Sequence, residues 1–407
     1  MRIGIGLNLL RPDTGGIGNY ALTLLRHWPA FAPEHELVLF SFVHNDEMLA
    51  QLPPASRRRE IRLRTQEEVL QHLDQFDVYF CPFGSLWPRP FPRPSVLAFH
   101  DMQERFYPQF FTAAQLEERF FHYDWSLRMA DAVVAVSDFT RRCCIDIVGT
   151  DPRKIRTVHH APDDLPPPQA PAGWDAAGWE QFLFYPANFW DHKNHRRLLA
   201  ALVQLRADGL AVRCVFTGAL LGRDADWRAL VAETGVADLV RHLGRRPRAE
   251  LSWLYRHARG LAFPSLMEGF GIPLIEAMHS GCPIACANRT SLPEIARDAA
   301  VYFDPTSESD LARALAQLWT DDALHTSLAD RARARAAAFT AQRLVRGHVE
   351  VFELARRRYR PWRHWHRTLF LKPKSEHPRH ALLPREAAAA ARLLQPSPTA
   401  TSPQPAP

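Results

Sequence analysis

Short apolar runs alternate with amphipathic stretches along most of the chain, in two series separated by a proline-rich stretch. Ile3–Leu9, Leu37–Phe42, Val78–Cys81, Ser95–Phe99, Ala132–Val136 and Ile155–His159 read as strands, with helical segments such as Tyr20–Trp28 and Gln115–Ala130 between them. This is the pattern of βα units around a parallel sheet. Ala161–Gln181 then holds Pro162, Pro166, Pro167, Pro168 and Pro171, five residues that fix φ and lack a backbone donor. Such a stretch packs neither as helix nor as strand and marks a domain boundary. Beyond it Phe182–Tyr185, Arg213–Thr217, Val240–Leu243, Gly260–Phe263, Pro283–Cys286 and Ala300–Phe303 read as a second strand series. Asn194 is placed to cap a helix whose apolar face is Leu198, Leu199, Leu202 and Leu205, with Gly209 at its end. The last long helix is expected at about 341–358. The predicted class is α/β: two doubly wound, Rossmann-like domains, 1–165 and 180–340, facing a central cleft, with ligands at the strand carboxyl ends.

Composition narrows the class further. With 407 residues, 46% hydrophobic and 23% charged, the chain has material for two ordinary cores, which excludes collagen-like, coiled-coil and wholly disordered proteins. Its net charge of +6 is unevenly placed. From Arg356 onward there are 11 Arg and Lys against 2 Asp and Glu, an excess of +9, so the first 355 residues sum to −3. Residues 361–407 are basic and Pro/Ala-rich and end in SPTATSPQPAP, the composition of a disordered tail. In Arg356–Lys374 the cations are interleaved with Tyr359, Trp362, Trp365 and Phe370. That mixture suits a membrane-surface anchor or nucleic-acid binding, and equally an inert charged tail. Cys81, Cys143, Cys144, Cys214, Cys282 and Cys286 show no C-x-x-C spacing and read as buried or free thiols of a reducing compartment. The start Met1–Asn8 lacks an apolar signal-peptide core, and no apolar run approaches the roughly 20 residues that span a bilayer. The expectation is a cytoplasmic protein, at the inner membrane face if the tail anchors it.

Four constellations bear on chemistry. Gly15-Gly16-Ile17-Gly18-Asn19-Tyr20 lies between the first strand and the first helix, where glycines let backbone N–H groups approach an anion or a sugar. It lacks the G-x-G-x-x-G spacing of a dinucleotide fingerprint. His100-Asp101 closes the strand Ser95–Phe99, at the end where such a fold binds ligands. In Asn188-Phe189-Trp190-Asp191-His192-Lys193-Asn194, Lys193 at a helix start opposes the helix dipole, which makes sense where an anion binds. Glu268-Gly269-Phe270-Gly271-Ile272-Pro273-Leu274-Ile275-Glu276 leads into a helix whose first turn suits Pro273. The N–H groups of that helix start would face a diphosphate. Glu268 would hold sugar hydroxyls, and Glu276 the vicinal hydroxyls of a ribose. Taken singly, each also reads as ordinary structure: a surface loop, a satisfied histidine, an exposed lysine, a solvated glutamate. Asp224-Ala225-Asp226 has the D-x-D spacing of a metal site but sits in a polar, loop-like stretch and reads as a solvated turn, so no metal is expected.

In order and spacing these residues resemble the retaining nucleotide-sugar glycosyltransferases of family 4 (group 1 type), which have the GT-B fold. The family's two glutamates separated by seven residues match Glu268 and Glu276; its glycine loop, strand-end histidine and diphosphate-binding lysine match Gly15–Asn19, His100 and Lys193. Ser291–Glu294 and Ala299–Pro305 are similar too, and the resemblance covers about residues 1–355. Where many members carry an arginine about five residues before the lysine, this chain has Asn188, with His192 and Arg196 as alternative cations. The resemblance implies His100, Lys193 and Glu268 as catalytic residues and Gly16, Gly269, Phe270, Gly271 and Glu276 as donor-binding residues. It implies an N-terminal acceptor domain onto which the last helix crosses back, a C-terminal donor domain, and no cofactor beyond the nucleotide-diphosphate sugar as co-substrate. The acceptor would be a glycan or a lipid-linked sugar. Lys193 and the helix start would stabilise the departing diphosphate without a metal. Retention would pass either through a carboxylate such as Glu268 or by same-face attack, with the leaving phosphate taking the acceptor proton. Likeness of Phe189–His195 to bacterial polysaccharide mannosyltransferases suggests mannose from a GDP donor, in cell-surface polysaccharide synthesis. A dehydrogenase would need the compact dinucleotide fingerprint. A nucleotide-sugar epimerase, hydrolase or phosphorylase would release product without an acceptor. A nucleic-acid-binding protein would rest on the basic tail alone.

Overall fold

The strands assemble into two wholly parallel sheets in the computed structural model, which describes residues 1–12, 14–163, 166–362, 365–366 and 381–396. The first holds β1 (Arg2–Gly6), β2 (Glu36–Ser41), β3 (Arg58–Arg62), β4 (Val78–Cys81), β5 (Ser95–Phe99), β6 (Ala132–Ala135) and β7 (Ile155–Thr157), in the order β3-β2-β1-β4-β5-β6-β7. The second holds β8 (Leu183–Pro186), β9 (Cys214–Thr217), β10 (Val240–His242), β11 (Gly260–Phe263), β12 (Ile284–Ala287) and β13 (Ala300–Phe303), in the order β10-β9-β8-β11-β12-β13. Strands β4, β5 and β6, and β9, β11 and β12, are buried at every residue, as strands covered on both faces must be. In each sheet the order reverses beside its own first strand, between β1 and β4 and between β8 and β11. Loops leaving such a pair run apart and open the place where doubly wound sheets bind ligands. The arrangement is Rossmann-like in both sheets, as expected.

The chain divides into two units. One comprises Met1–Asp163 and Phe339–Leu393; the other is built on Asp164–Ala338. The helix Ala341–Arg358 belongs to the first. Thr340 caps it by accepting from the Arg343 N–H, and Leu344, Val345, Val351, Phe352 and Ala355 are buried along one face. Phe352 meets Trp28 and Phe80, with ring centroids 6.0 and 5.2 Å away. All six cysteines are free and buried. Among the described residues no helix is long and apolar enough to cross a membrane.

Three expectations need correction. The strand β3, Arg-Arg-Glu-Ile-Arg, was not foreseen, because four charges in five residues hide any apolar pattern. It is an edge strand, where charge protects against stray pairing, and its side chains find partners in Asp46, Glu36 and Ser41. Asn194 stands at the start of the helix His195–Ala207 but does not cap it. It is left-handed (φ 63°), and its amide donates to the carbonyls of Pro264 and Pro305 at 3.1 and 2.9 Å. Finally, the expected disorder of 361–407 fails at Pro384–Leu393, which is helical, with Glu386, Ala389 and Ala390 buried. The run Ala387–Ala391 has the highest helix propensity available, Pro384 opens the first turn, and the helix packs on Asp138–Asp146. The end SPTATSPQPAP, and Phe370 with most of the basic segment after Trp362, lie outside the described residues.

Candidate active site

In the second unit the loops leaving β8 and β11 carry Lys193 and Glu268 to one place. Lys193 Nζ donates to Glu268 Oε1 at 2.5 Å, with the two side chains 17% and 12% exposed. Their loops are bolted together beneath the pair. The Leu266 N–H donates to the His192 carbonyl (2.8 Å), and the Tyr185 hydroxyl donates to the Lys193 carbonyl (2.5 Å). Lys193 Nζ also lies 5.7 Å from the centre of the Phe263 ring. On the other side, the Glu268 N–H donates to Thr290 Oγ1, and the Ser291 hydroxyl lies 3.0 Å from the carbonyls of Glu268 and Phe270. Gly269, Phe270 and Gly271 follow, and the helix Ile272–Ser280 begins with Pro273 in its first turn. Gly271 is left-handed at φ 95°, and a Cβ there would come within 2.8 Å of Leu292, so this helix start needs glycine. A cation, a carboxylate and a helix N-terminus thus share the carboxyl end of the sheet at its switch point.

Glu276, in the second turn of that helix, is buried, and its partners are not the Lys193–Glu268 pair. Its oxygens accept from the Tyr255 hydroxyl at 2.8 Å and from Arg248 Nη1 at 3.3 Å, both on the helix Arg248–His257. Each carboxylate oxygen has lone-pair capacity beyond these bonds. Burial and the neighbouring Glu276 charge push the Tyr255 phenol well up, so it stays a donor.

Asn188, at the position where the resemblance implies an arginine, has a structural task. Asn188 Oδ1 accepts from the Ala219 N–H at 2.8 Å and so pins the turn after β9. In that turn Gly218 has φ 125°, and a Cβ would lie 2.4 Å from the Ala187 carbonyl oxygen. Arg196 pairs instead with Glu233 on the exposed surface, at 3.5 Å. Arg223 reaches the loop: it donates to Asp191 Oδ1 (2.8 Å) and lies 4.8 Å from the centre of the Phe189 ring. Asp226, half of the D-x-D, is its other partner at 2.9 Å, and Asp224 and Asp226 stand in the first turn of a helix rather than in a loop. Arg223, Arg248 and Tyr255 were not singled out from sequence. The only local signal was that each lies just after, or one helix beyond, a strand end.

In the first unit the glycine loop leads into the helix Gly16–Phe31, of which Gly16 is the first residue, with Gly15 left-handed at φ 65°. His100 follows β5 as predicted but is buried, 8% exposed, rather than open. Its Nε2 lies 2.7 Å from the Pro82 carbonyl. A carbonyl only accepts, so Nε2 carries the proton and Nδ1 the lone pair. Burial lowers its pKa, which keeps the ring neutral. Tyr20, from the glycine-loop helix, packs edge-on against both His100 and His160, with centroids 5.0 and 4.8 Å away, and its hydroxyl bonds His348 Nε2. Thus Lys193, Glu268, Gly269, Phe270, Gly271 and Glu276 belong to the second unit, and Gly16 and His100 to the first.

Residues 171–335 match the family model described as Glycosyl transferases group 1, and residues 14–164 match Glycosyltransferase Family 4. The O-antigen chain mannosyltransferase B of Escherichia coli is 26% identical over 385 residues, which take in 87% of this chain and all of that protein. The D-inositol 3-phosphate glycosyltransferase of Salinispora arenicola is 35% identical over 147 residues, 36% of this chain and 33% of that one. Among solved structures, the Anabaena HepE protein in complex with UDP and glucose superposes with a TM-score of 0.67 at 18% identity, covering 87% of this chain and 99% of its own. Sucrose-phosphate synthase from Thermosynechococcus elongatus gives 0.69 at 20% identity, covering 86% and 98%.

Proposed function

Because the chain belongs to the group 1 glycosyltransferases of family 4, with the GT-B fold, we propose that it transfers mannose, with retention, from a GDP-linked donor to a glycan or lipid-linked acceptor in cell-surface polysaccharide synthesis, on the cytoplasmic side of the membrane. The observation that carries this is the Lys193–Glu268 pair beside the start of the helix Ile272–Ser280. The end-to-end match to an O-antigen mannosyltransferase supports the choice of sugar and pathway class.

In this reading the donor's diphosphate lies on Lys193 and the helix start. As the C1–O bond to the diphosphate breaks, charge builds on the departing oxygen, and Lys193 takes it up with the positive end of the helix dipole. No metal is needed for that step. The acceptor hydroxyl forms the new bond to C1 on the same face, and its proton passes to a leaving phosphate oxygen. Glu268, held by Lys193 through Oε1, keeps Oε2 for the hydroxyls of the sugar; a carboxylate already paired with a cation is better suited to hold a hydroxyl than to attack C1. Gly269, Phe270 and Gly271 lead the backbone past the diphosphate, and Glu276, held by Tyr255 and Arg248, receives the ribose. Arg223 supplies the second cation at the place where the family's arginine is replaced by Asn188. In the N-terminal unit, which takes the acceptor, Gly16 keeps the donor-binding role that the resemblance implies, and His100 Nδ1 accepts a hydrogen bond from a sugar hydroxyl.

Incubating the protein with GDP-mannose and an O-antigen oligosaccharide, with and without EDTA, and reading the product's anomeric configuration by NMR, tests this. The expected product is an α-linked mannoside formed at the same rate in EDTA. Free mannose or an epimerised nucleotide sugar formed without acceptor would replace this reading with hydrolase or epimerase chemistry. Inactivation by EDTA reversed by manganese would remove the metal-free step.

A further inference from the structure

Cations gather where the last helix ends. Arg357, Arg358 and Arg360 line a cavity of about 290 Å³ together with Asp151 and Arg153. Arg153 comes from the turn just before β7, far away in sequence, so the cluster is a product of folding and not of the basic tail alone. Asp151 is fully engaged: it accepts from Arg153 Nε and Nη2 at 3.0 and 3.2 Å and from Arg358 Nη2 at 2.9 Å. Arg358 Nε also donates to the Asp131 carbonyl, and Arg360 donates to the carbonyls of Arg357 and Tyr359. Arg357 has Glu353 at 3.6 Å. Four guanidinium groups therefore face two carboxylates, a local excess of two positive charges at a concave place. Immediately beyond, Trp362 and Trp365 are 61% and 66% exposed. The Tyr359 hydroxyl, donating to the Pro92 carbonyl at 2.9 Å, fixes the chain three residues before the first of them.

We propose that this cavity takes the phosphate of an anionic lipid headgroup, so that the N-terminal unit sits on a membrane surface with Trp362 and Trp365 entering the headgroup layer. Guanidinium forks match phosphate oxygens in pairs, and tryptophan is the side chain that settles at the boundary between hydrocarbon and water. A long polyanion such as RNA would also run over the rest of the body, whose first 355 residues sum to −3 and so repel it on balance. A planar anionic surface needs only the one patch. Its use rests on the proposed function in one respect only, that a lipid-linked acceptor would be met there; the binding itself does not.

The test is flotation of the full chain on vesicles of phosphatidylcholine, with and without phosphatidylglycerol. The protein is expected to float with the anionic vesicles and not with the neutral ones, and to release at high salt. Each arginine removed should lower partition about fivefold, so Arg357→Gln with Arg360→Gln loses more than tenfold, and Trp362→Ala with Trp365→Ala loses a comparable amount. Transfer to a water-soluble acceptor should be unchanged in both variants. Equal flotation of the arginine variant, or of the wild type on neutral vesicles, overturns the proposal. So does saturable binding of inorganic phosphate or of a single-stranded RNA, abolished by the same substitutions, while no vesicle floats. If wild-type protein floats but transfers nothing to any acceptor, the functional reading has failed and this one stands.

Discussion

Lys193 sits at a helix start where its charge gains nothing from the local dipole, and the carboxylate it pairs with, Glu268, comes from another loop. Lys193→Ala should lower kcat by about two to three orders of magnitude, the scale of one lost donor to a departing charge, with little change in donor KM. Glu276→Ala should instead raise donor KM about tenfold and spare kcat. Steady-state kinetics with GDP-mannose separate the two, and the opposite pattern would exchange their roles. Buried histidines set a second residue-scale effect. Burial holds His195 at about 3 and His348 at about 4, and lowers His160 and His100 too. The unfolded chain binds these protons near pH 6.5 while the native one does not, so the stability present above that pH is lost as pH falls below it. By pH 5 the loss is about 2 kcal/mol for each strongly shifted histidine. The melting temperature should therefore drop between pH 7 and 5, and His348→Gln should make that drop shallower; an unchanged slope would show that another group carries it. Lys193, Glu268 and His100 were legible because each lies within a few residues of a readable strand end. Arg223, Arg248 and Tyr255 were not, because only the fold brings the first to the loop of Phe189 and Asp191 and the other two to Glu276.

Turns and edges decide what the elements can present. At Gly218 an added Cβ would press on a backbone carbonyl, which cannot swing aside as a side chain would, and φ is already in the left-handed range. Gly218→Ala should cost on the order of 2–4 kcal/mol and weaken nucleotide binding with it, as urea unfolding with and without GDP will read. The C-terminal helix Pro384–Leu393 makes a milder case. Glu386 lies 3.8 Å from Arg105, whose guanidinium also meets Asp124 at 2.6 Å and Glu104 at 3.3 Å. Since two carboxylates remain, Glu386→Ala should cost only about 1–2 kcal/mol, less than breaking an isolated buried pair. Hydrogen exchange in 384–393 should quicken while β5 and β6 stay protected. Sequence periodicity found the buried strands within a residue or two, except that β1 ends at Gly6 and not at Leu9. It missed β3 because an edge strand is selected for charge, and it missed the alanine helix because tail composition outweighs local propensity in such a reading.

At the scale of the molecule, two strand series and a proline break were legible. The resemblance added that the last helix returns to the first unit, and the structure supplies its contacts: Leu344, Val345 and Phe352 complete the core under β1, β4 and β5. A chain of residues 166–338 should fold alone, whereas one of residues 1–163 should stay molten or aggregate until a peptide spanning 339–358 is added; circular dichroism and dye binding would show it. An independently folded 1–163 would mean that the helix merely lies on a finished surface. The same discontinuity has a consequence in time. On the ribosome, the unit begun first is finished last. Its sheet must wait while the 175 residues 164–338 are made, about 9–35 s at ordinary elongation rates. Through that interval the C-terminal unit has everything it needs to close, while the N-terminal unit carries an open apolar seam. A chaperone bound to nascent chains would be expected to hold that seam, and slowing translation between the two halves would harm yield more than slowing it anywhere after Arg358.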